Sequence, residues 1–383
     1  MKIIIAPDSF KGTLEAEEIC RIESGIIKGM YPEAEVLSIP MADGGEGITN
    51  AYLNILGGEK RWVEVTSPIS GRHNAYYGIL PDGSAIMEMA QAAGLPLAGD
   101  SRNPLYATTY GVGEMLLDAK KQGVKKILLG IGGSATNDCG IGMAEALGYR
   151  FLDAERRPVQ ALAVNLGKIA EILPPDEEIG LEISVACDVT NPLLGPQGAT
   201  YTFGPQKGAA GDTLALLETG MTHYADVLES FCGKEVRSIP GSGAAGGLGA
   251  MLCGMLNAKL LPGAEMLLAA AGFDEELKDA DYVICGEGRI DWQSAYGKVI
   301  GTVASHCAKA NVPCIAICGS AGKDADSLLT EGISEIYTTA GERASFEEIA
   351  LHAEEDLKNT AETVFGALLA GKKYVLPNSA RKL

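Results

Sequence analysis

The stretch Lys2-Ile3-Ile4-Ile5-Ala6-Pro7-Asp8-Ser9-Phe10-Lys11-Gly12 decides the fold. A short apolar run gives way to a polar turn, and after it Ile19, Ile22, Ile26 and Met30 recur at helical spacing. This is a strand, a loop and a helix. Glu15, Glu17 and Glu18 fall in the first helical turn, where carboxylates suit the positive end of the helix dipole, and Thr13 is the expected cap. A second strand, Glu35 to Ile39, runs into the glycine-rich loop Pro40 to Gly47 and then a helical segment from Ile48. Near the other end, Asp281 to Cys285, Val312 to Cys318 and Ile333 to Thr338 are again short β-rich runs separated by helical stretches. Strands alternating with helices predict a parallel, doubly wound sheet.

Between the ends the pattern changes. Arg61 to Thr66, Arg72 to Leu80 and Ser84 to Ala90 follow one another as strands without intervening helices, with Pro81-Asp82-Gly83 as a hairpin turn. Further strands are expected at Lys125 to Ile131 and Leu181 to Cys187, and helices at Leu214 to Phe231 and Leu248 to Leu261. The sequence therefore predicts an inserted domain with a mixed sheet at residues 61–275, and a first domain assembled from residues 1–60 and 276–383. Such an insertion usually leaves a ligand cleft between lobes.

Composition narrows the function. At 383 residues, 46% hydrophobic and 21% charged, the chain has apolar side chains for more than one core. Glycine accounts for 49 positions without any collagen period, so the surplus belongs to loops. A net charge of −19 with no basic run speaks against nucleic acid or an anionic membrane as partner. The longest apolar stretch, Met266 to Phe273, is too short to span a bilayer. Nine scattered cysteines, four isolated histidines and no secretion signal predict a soluble, cytoplasmic protein without a disulfide scaffold or zinc site.

Polar and glycine residues concentrate in six loops, most of them just after expected strands, where parallel sheets bind ligands. They are Asp8 to Gly12, Asp43 to Gly47, Gly132 to Asp138, Asp188 to Asn191, Gly241 to Gly249 and Gly286 to Asp291. Gly241-Ser242-Gly243-Ala244-Ala245-Gly246 has G-x-G-x-x-G spacing but lacks a good preceding strand, so it predicts a generic phosphate cradle, or else a glycine-lined helix contact. No P-loop motif occurs. The acidic residues Asp43, Asp138, Asp188, Glu287 and Asp291, with the cations Lys11, Lys207, Arg289 and Lys298, are the chemistry of magnesium-dependent phosphoryl transfer. A nicotinamide-dependent oxidoreductase would use the glycine loop differently and would not need this many carboxylates. A non-catalytic binding protein for small carboxylates would also need a cleft.

The loops together resemble the bacterial class I glycerate kinase family. The resemblance rests on residues 6–12 (APDSFKG), 40–47 (PMADGGEG), 130–138 (GIGGSATND), 186–195 (ACDVTNPLLG), 203–209 (FGPQKGA), 240–249 (PGSGAAGGLG) and 286–291 (GEGRID), in the family's order, with Cys139 where many members have glycine. It implies a flavodoxin-like (Rossmann-like) parallel-sheet domain with an inserted mixed-sheet α/β domain. It also implies a kinase using ATP and Mg²⁺ to phosphorylate D-glycerate in glycerate degradation, at the 2-hydroxyl, with 3-phosphoglycerate as the alternative product. From side-chain chemistry, Asp188, Asp43, Lys11, Arg289 and Asp291 are the candidate catalytic residues. Gly241, Ser242, Gly243, Gly246, Gly247, Ser134 and Lys207 are candidates for the nucleotide, and Asp43, Asp188 and Glu287 for the metal. The sequence is compatible with a homodimer.

Overall fold

The computed structural model describes residues 1–369 apart from 43, 292, 293, 295–298, 323, 342 and 344, so the expectations placed on Asp43 and Lys298 lie outside the described residues. The chain divides into two compact units, Met1–Asp43 with Ala264–Leu383, and Gly44–Gly263. The sequence had placed the crossings at 60/61 and 275/276. Helix Ile48–Leu56 accounts for the first difference, because it packs on strands Arg72–Ile79 and Ala85–Glu88 of the inserted unit.

The unit made from both ends holds a five-stranded, wholly parallel sheet. Its spatial order is Ile333–Thr338, Cys314–Cys318, Tyr282–Gly286, Lys2–Pro7, Glu35–Ser38. Counted along the chain this is 2-1-3-4-5, the flavodoxin-like order. Strand Lys2–Pro7 is buried along its whole length, as a central parallel strand covered on both faces must be. Helices Ala16–Met30 and Phe346–Leu369 pack together on one side, joining Ile3, Ile5, Ile19, Leu357 and Phe365 in one core. Truncating such a buried isoleucine to alanine costs about 2–5 kcal/mol. The first helix is capped differently from the expectation. Glu15 precedes its first turn and donates its N–H to Glu18 Oε2 at 3.1 Å, while Thr13 Oγ1 donates to Phe10 O at 2.7 Å and serves the turn.

The inserted unit holds the expected mixed sheet, now of six strands. Lys259–Leu261, Glu182–Ala186, Lys126–Gly130 and Ala85–Glu88 run parallel, and the hairpin Arg72–Ile79 and Glu59–Thr66 adds two antiparallel strands at one edge. One helix was expected to reach Leu261. It ends at Leu256, where Asn257 turns left-handed (φ 53°) and releases the chain into the edge strand Lys259–Leu261.

Candidate active site

In a sheet of order 2-1-3-4-5 the connections leave strands 1 and 3 in opposite directions, so the loops beyond them part and leave a crevice. Those strands are Lys2–Pro7 and Tyr282–Gly286, paired in register from Ile3 with Tyr282 to Pro7 with Gly286. A cavity of about 500 Å³ lies where this rule puts it. The loop after the first strand contributes Asp8, Ser9, Phe10 and Lys11, and the loop after the second contributes Glu287, Gly288 and Arg289. Ser320 and Thr339, beyond the next two strands, and Phe346 and Ile349, at the start of the last helix, also line it.

Backbone bonds fix these loops. Asp8 donates its N–H to Gly286 O at 2.8 Å, which ties the two loops at their roots, and Ser9 donates its N–H to Asp8 Oδ1 at 2.7 Å. Gly12 closes the turn at φ +81°, and a Cβ there would stand 3.0 Å from the Phe346 ring. On the other side, Arg289–Ile290 pairs with Ser320–Ala321 as a two-residue parallel ladder, holding Arg289 and Ser320 side by side at the rim. Arg289 and Lys11 are exposed and Glu287 is half-buried. Asp291 follows directly but is outside the lining; its N–H donates to Ser294 Oγ at 3.1 Å.

The inserted unit holds the remaining candidates in two places. Asp188, half-buried, lies two residues beyond strand Glu182–Ala186, and its Oδ1 accepts the Gly263 N–H at 2.7 Å. Elsewhere, Ser134 and Lys207 meet in a buried polar cluster. Lys207 Nζ donates to Ser134 Oγ at 2.8 Å and to Thr136 O at 2.7 Å. With 1% of its surface exposed, the ammonium serves the loop, and burial pushes its pKa down to about 7. Asp138 is equally enclosed. Its carboxylate accepts four bonds, from Thr109 N at 2.9 Å, Thr109 Oγ1 at 2.8 Å, Gly140 N at 3.1 Å and Gly142 N at 3.3 Å.

The glycine loop has a packing reason for its composition. Residues Gly241 to Ala250 are all buried, and the amides of Ser242, Gly243, Ala244, Gly247 and Ala250 already donate to protein carbonyls. A Cβ on Gly246 would stand 2.1 Å from Thr136 O, and one on Gly243 would stand 2.1 Å from Pro192 O. Ser242 Oγ donates to Arg237 O at 3.1 Å. Of the two readings that the sequence allowed, this geometry favours the glycine-lined contact over a phosphate cradle.

The Lys207 pKa has a consequence for stability. In the unfolded chain the group keeps its ordinary value of 10.5. Between about 7 and 10.5 the unfolded state therefore binds the extra proton, and stability rises with pH across that window by up to about 1.4 kcal/mol per unit. Below it both states are protonated and the gain is absent. Urea midpoints measured from pH 6.5 to 9.5 should show this rise, and Lys207→Met should flatten it. Parallel curves for the two proteins would refute the assignment.

The structure thus brings Lys11, Glu287 and Arg289 into one cavity, joins Ser134 to Lys207 in a separate buried cluster, and places Asp188 at a strand end of the inserted unit. Ser320, Thr339 and Phe346 were missed. The strand-end rule applied to Cys318 and Thr338 would have found the first two. For Phe346 the sequence carried no signal, because it opens a helix instead of following a strand.

Comparison with known proteins agrees with this architecture. Residues 3–369 match the model of the glycerate kinase family. A glycerate kinase of Halalkalibacterium halodurans is 44% identical over 368 residues, covering 94% of this chain and 97% of the relative. The glycerate 2-kinase of Escherichia coli is 39% identical, covering 97% and 99% respectively. A chain from Salmonella typhimurium LT2 whose crystal structure was assigned as a glycerate kinase 2 superposes with a TM-score of 0.83 at 40% identity, covering 97% of this chain and 99% of that one. On the family match and these full-length relatives, the chain belongs to the glycerate kinase family.

Proposed function

We propose that this chain transfers the γ-phosphoryl group of MgATP to the 2-hydroxyl of D-glycerate, giving 2-phosphoglycerate and ADP in the cytoplasm. The observation that carries the reading is the crevice of the flavodoxin-like unit, where Lys11 and Arg289 stand with Asp8 and Glu287 in a chain of net charge −19. Both substrates are anions. Local cations are required to gather them and to offset the charge that spreads over the transferring group.

Magnesium in such sites is held by one or two carboxylates together with the nucleotide's phosphates. Among the described residues no group of three or more His, Cys, Asp or Glu side chains is placed to hold a metal ion. Asp8 and Glu287 nevertheless line one cavity, which fits an ion that shares its coordination with the nucleotide. These two residues would hold it, and bound there it would offset negative charge on the phosphoryl oxygens. We assign Asp188 as the base. As the 2-hydroxyl oxygen bonds to phosphorus and the bond from phosphorus to the ADP oxygen breaks, the hydroxyl proton passes to the Asp188 carboxylate.

Phosphorus NMR of a mixture of protein, D-glycerate, ATP and Mg²⁺ tests the reading. ADP and 2-phosphoglycerate should appear in equal amounts. Appearance of 3-phosphoglycerate instead would overturn the choice of hydroxyl, and unchanged ATP would overturn the activity.

A further inference from the structure

The cavity at the crevice has two kinds of wall. One is polar, with the cations Lys11 and Arg289, the carboxylates Asp8 and Glu287, and Ser320 and Thr339, and the other is apolar, with Phe10, Phe346, Ile349 and Ala353. A three-carbon hydroxy acid has almost no apolar surface to bury and would fill a small part of about 500 Å³, whereas that volume is ordinary for a drug- or cofactor-sized ligand.

The apolar wall continues the core. On the last helix, Phe346, Ile349, Ala353, Leu357 and Ala361 recur at spacings of three and four and form one stripe. From Ala353 onward the stripe is buried against the sheet, with Leu357 and Ala361 fully enclosed. At its first residue it runs out over the cavity, and Phe346 is left 58% exposed. An exposed aromatic ring in a cavity that also holds Lys11 and Arg289 suits a ligand that is flat and apolar at one end and anionic at the other.

We infer that this cavity is the adenine-nucleotide site, with the base against Phe346 and Ile349 and the polyphosphate toward Lys11 and Arg289. The inference rests on the reading of the chain as an ATP-dependent kinase, and it moves the nucleotide from the glycine loop of residues 241–247 to the flavodoxin-like unit. The closed packing of that loop supports the move. The switch point of a flavodoxin-like sheet is also where such folds hold nucleotides. Gly12 belongs to the same device, since a side chain there would press on the Phe346 ring at 3.0 Å.

The test uses the full chain and its Phe346→Ala variant, which removes an exposed ring and should leave the circular dichroism unchanged. Calorimetric titration with ATP should show affinity weakened by about tenfold or more in the variant, since stacking of one base on an aromatic ring carries that much. KM for ATP should rise in step while KM for D-glycerate stays within about twofold. Inorganic triphosphate, which has no base, should bind both proteins alike. An unchanged ATP affinity, or a rise confined to KM for D-glycerate, would overturn the assignment. Failure of the kinase reading looks different: the unaltered protein would then leave D-glycerate unphosphorylated whatever its affinity for ATP.

Discussion

Asp188→Asn is expected to lower kcat with D-glycerate by about 10²- to 10⁴-fold, the contribution typical of a general base. The substitution is chosen because it should remove little else. Asp188 Oδ1 accepts the Gly263 N–H at 2.7 Å, and an asparagine oxygen can accept the same bond, so the join between strand Glu182–Ala186 and residue 263 is kept. What the amide lacks is a carboxylate able to take the hydroxyl proton as the phosphorus bond forms. Because the loss falls on the proton-transfer step and not on binding, KM for ATP should change little. Steady-state kinetics on protein shown to be folded by circular dichroism would decide the matter. If the variant keeps more than about a tenth of the original kcat, the base is elsewhere, and Glu287 and Asp291 become the carboxylates to replace next. Asp43→Asn belongs in the same series on the motif alone, since residue 43 lies outside the described residues.

The strand-loop-helix reading of residues 2–30 and the β-rich runs near 282, 314 and 333 were legible because parallel strands buried on both faces are continuous apolar runs. Strand order was not. No feature of residues 2–7 says that they pair with 282–286 on one side and 35–38 on the other; the first of these pairings joins segments more than two hundred residues apart. The same limit explains the site. Lys11, Glu287 and Arg289 were recognisable as strand-end polar residues, but their shared cavity follows from the order of strands. Lys207 and Asp138 mislead for a related reason. Their loops are as polar and glycine-rich as a ligand site, yet the structure shows polarity turned inward, onto Ser134, Thr136 and Thr109. Charge type and motif position look identical in sequence whether a side chain meets solvent or a backbone.

Asp138 gives the sharpest separation of those two uses. Its carboxylate is fully enclosed, so burial pushes its pKa up, and the bonds from Thr109, Gly140 and Gly142 pull in the opposite direction. Those bonds hold the first turn of helix Ile141–Ala146 to the start of helix Tyr110–Lys121. In Asp138→Asn one side-chain oxygen becomes an NH₂ group facing Thr109 and Gly142, or else facing Gly140, depending on which way the amide turns. Either way at least one buried donor loses its acceptor, at about 1–3 kcal/mol each, and the variant should lose about 1–3 kcal/mol or more. Against a usual total of about 5–15 kcal/mol that is a large loss, read as a lower urea midpoint and a lower Tm. A magnesium ligand would behave in the opposite manner, with stability kept and turnover lost. A variant as stable as the parent but without activity would therefore return Asp138 to the catalytic carboxylates, whereas lost stability with normal kcat in the folded fraction would assign it to the scaffold.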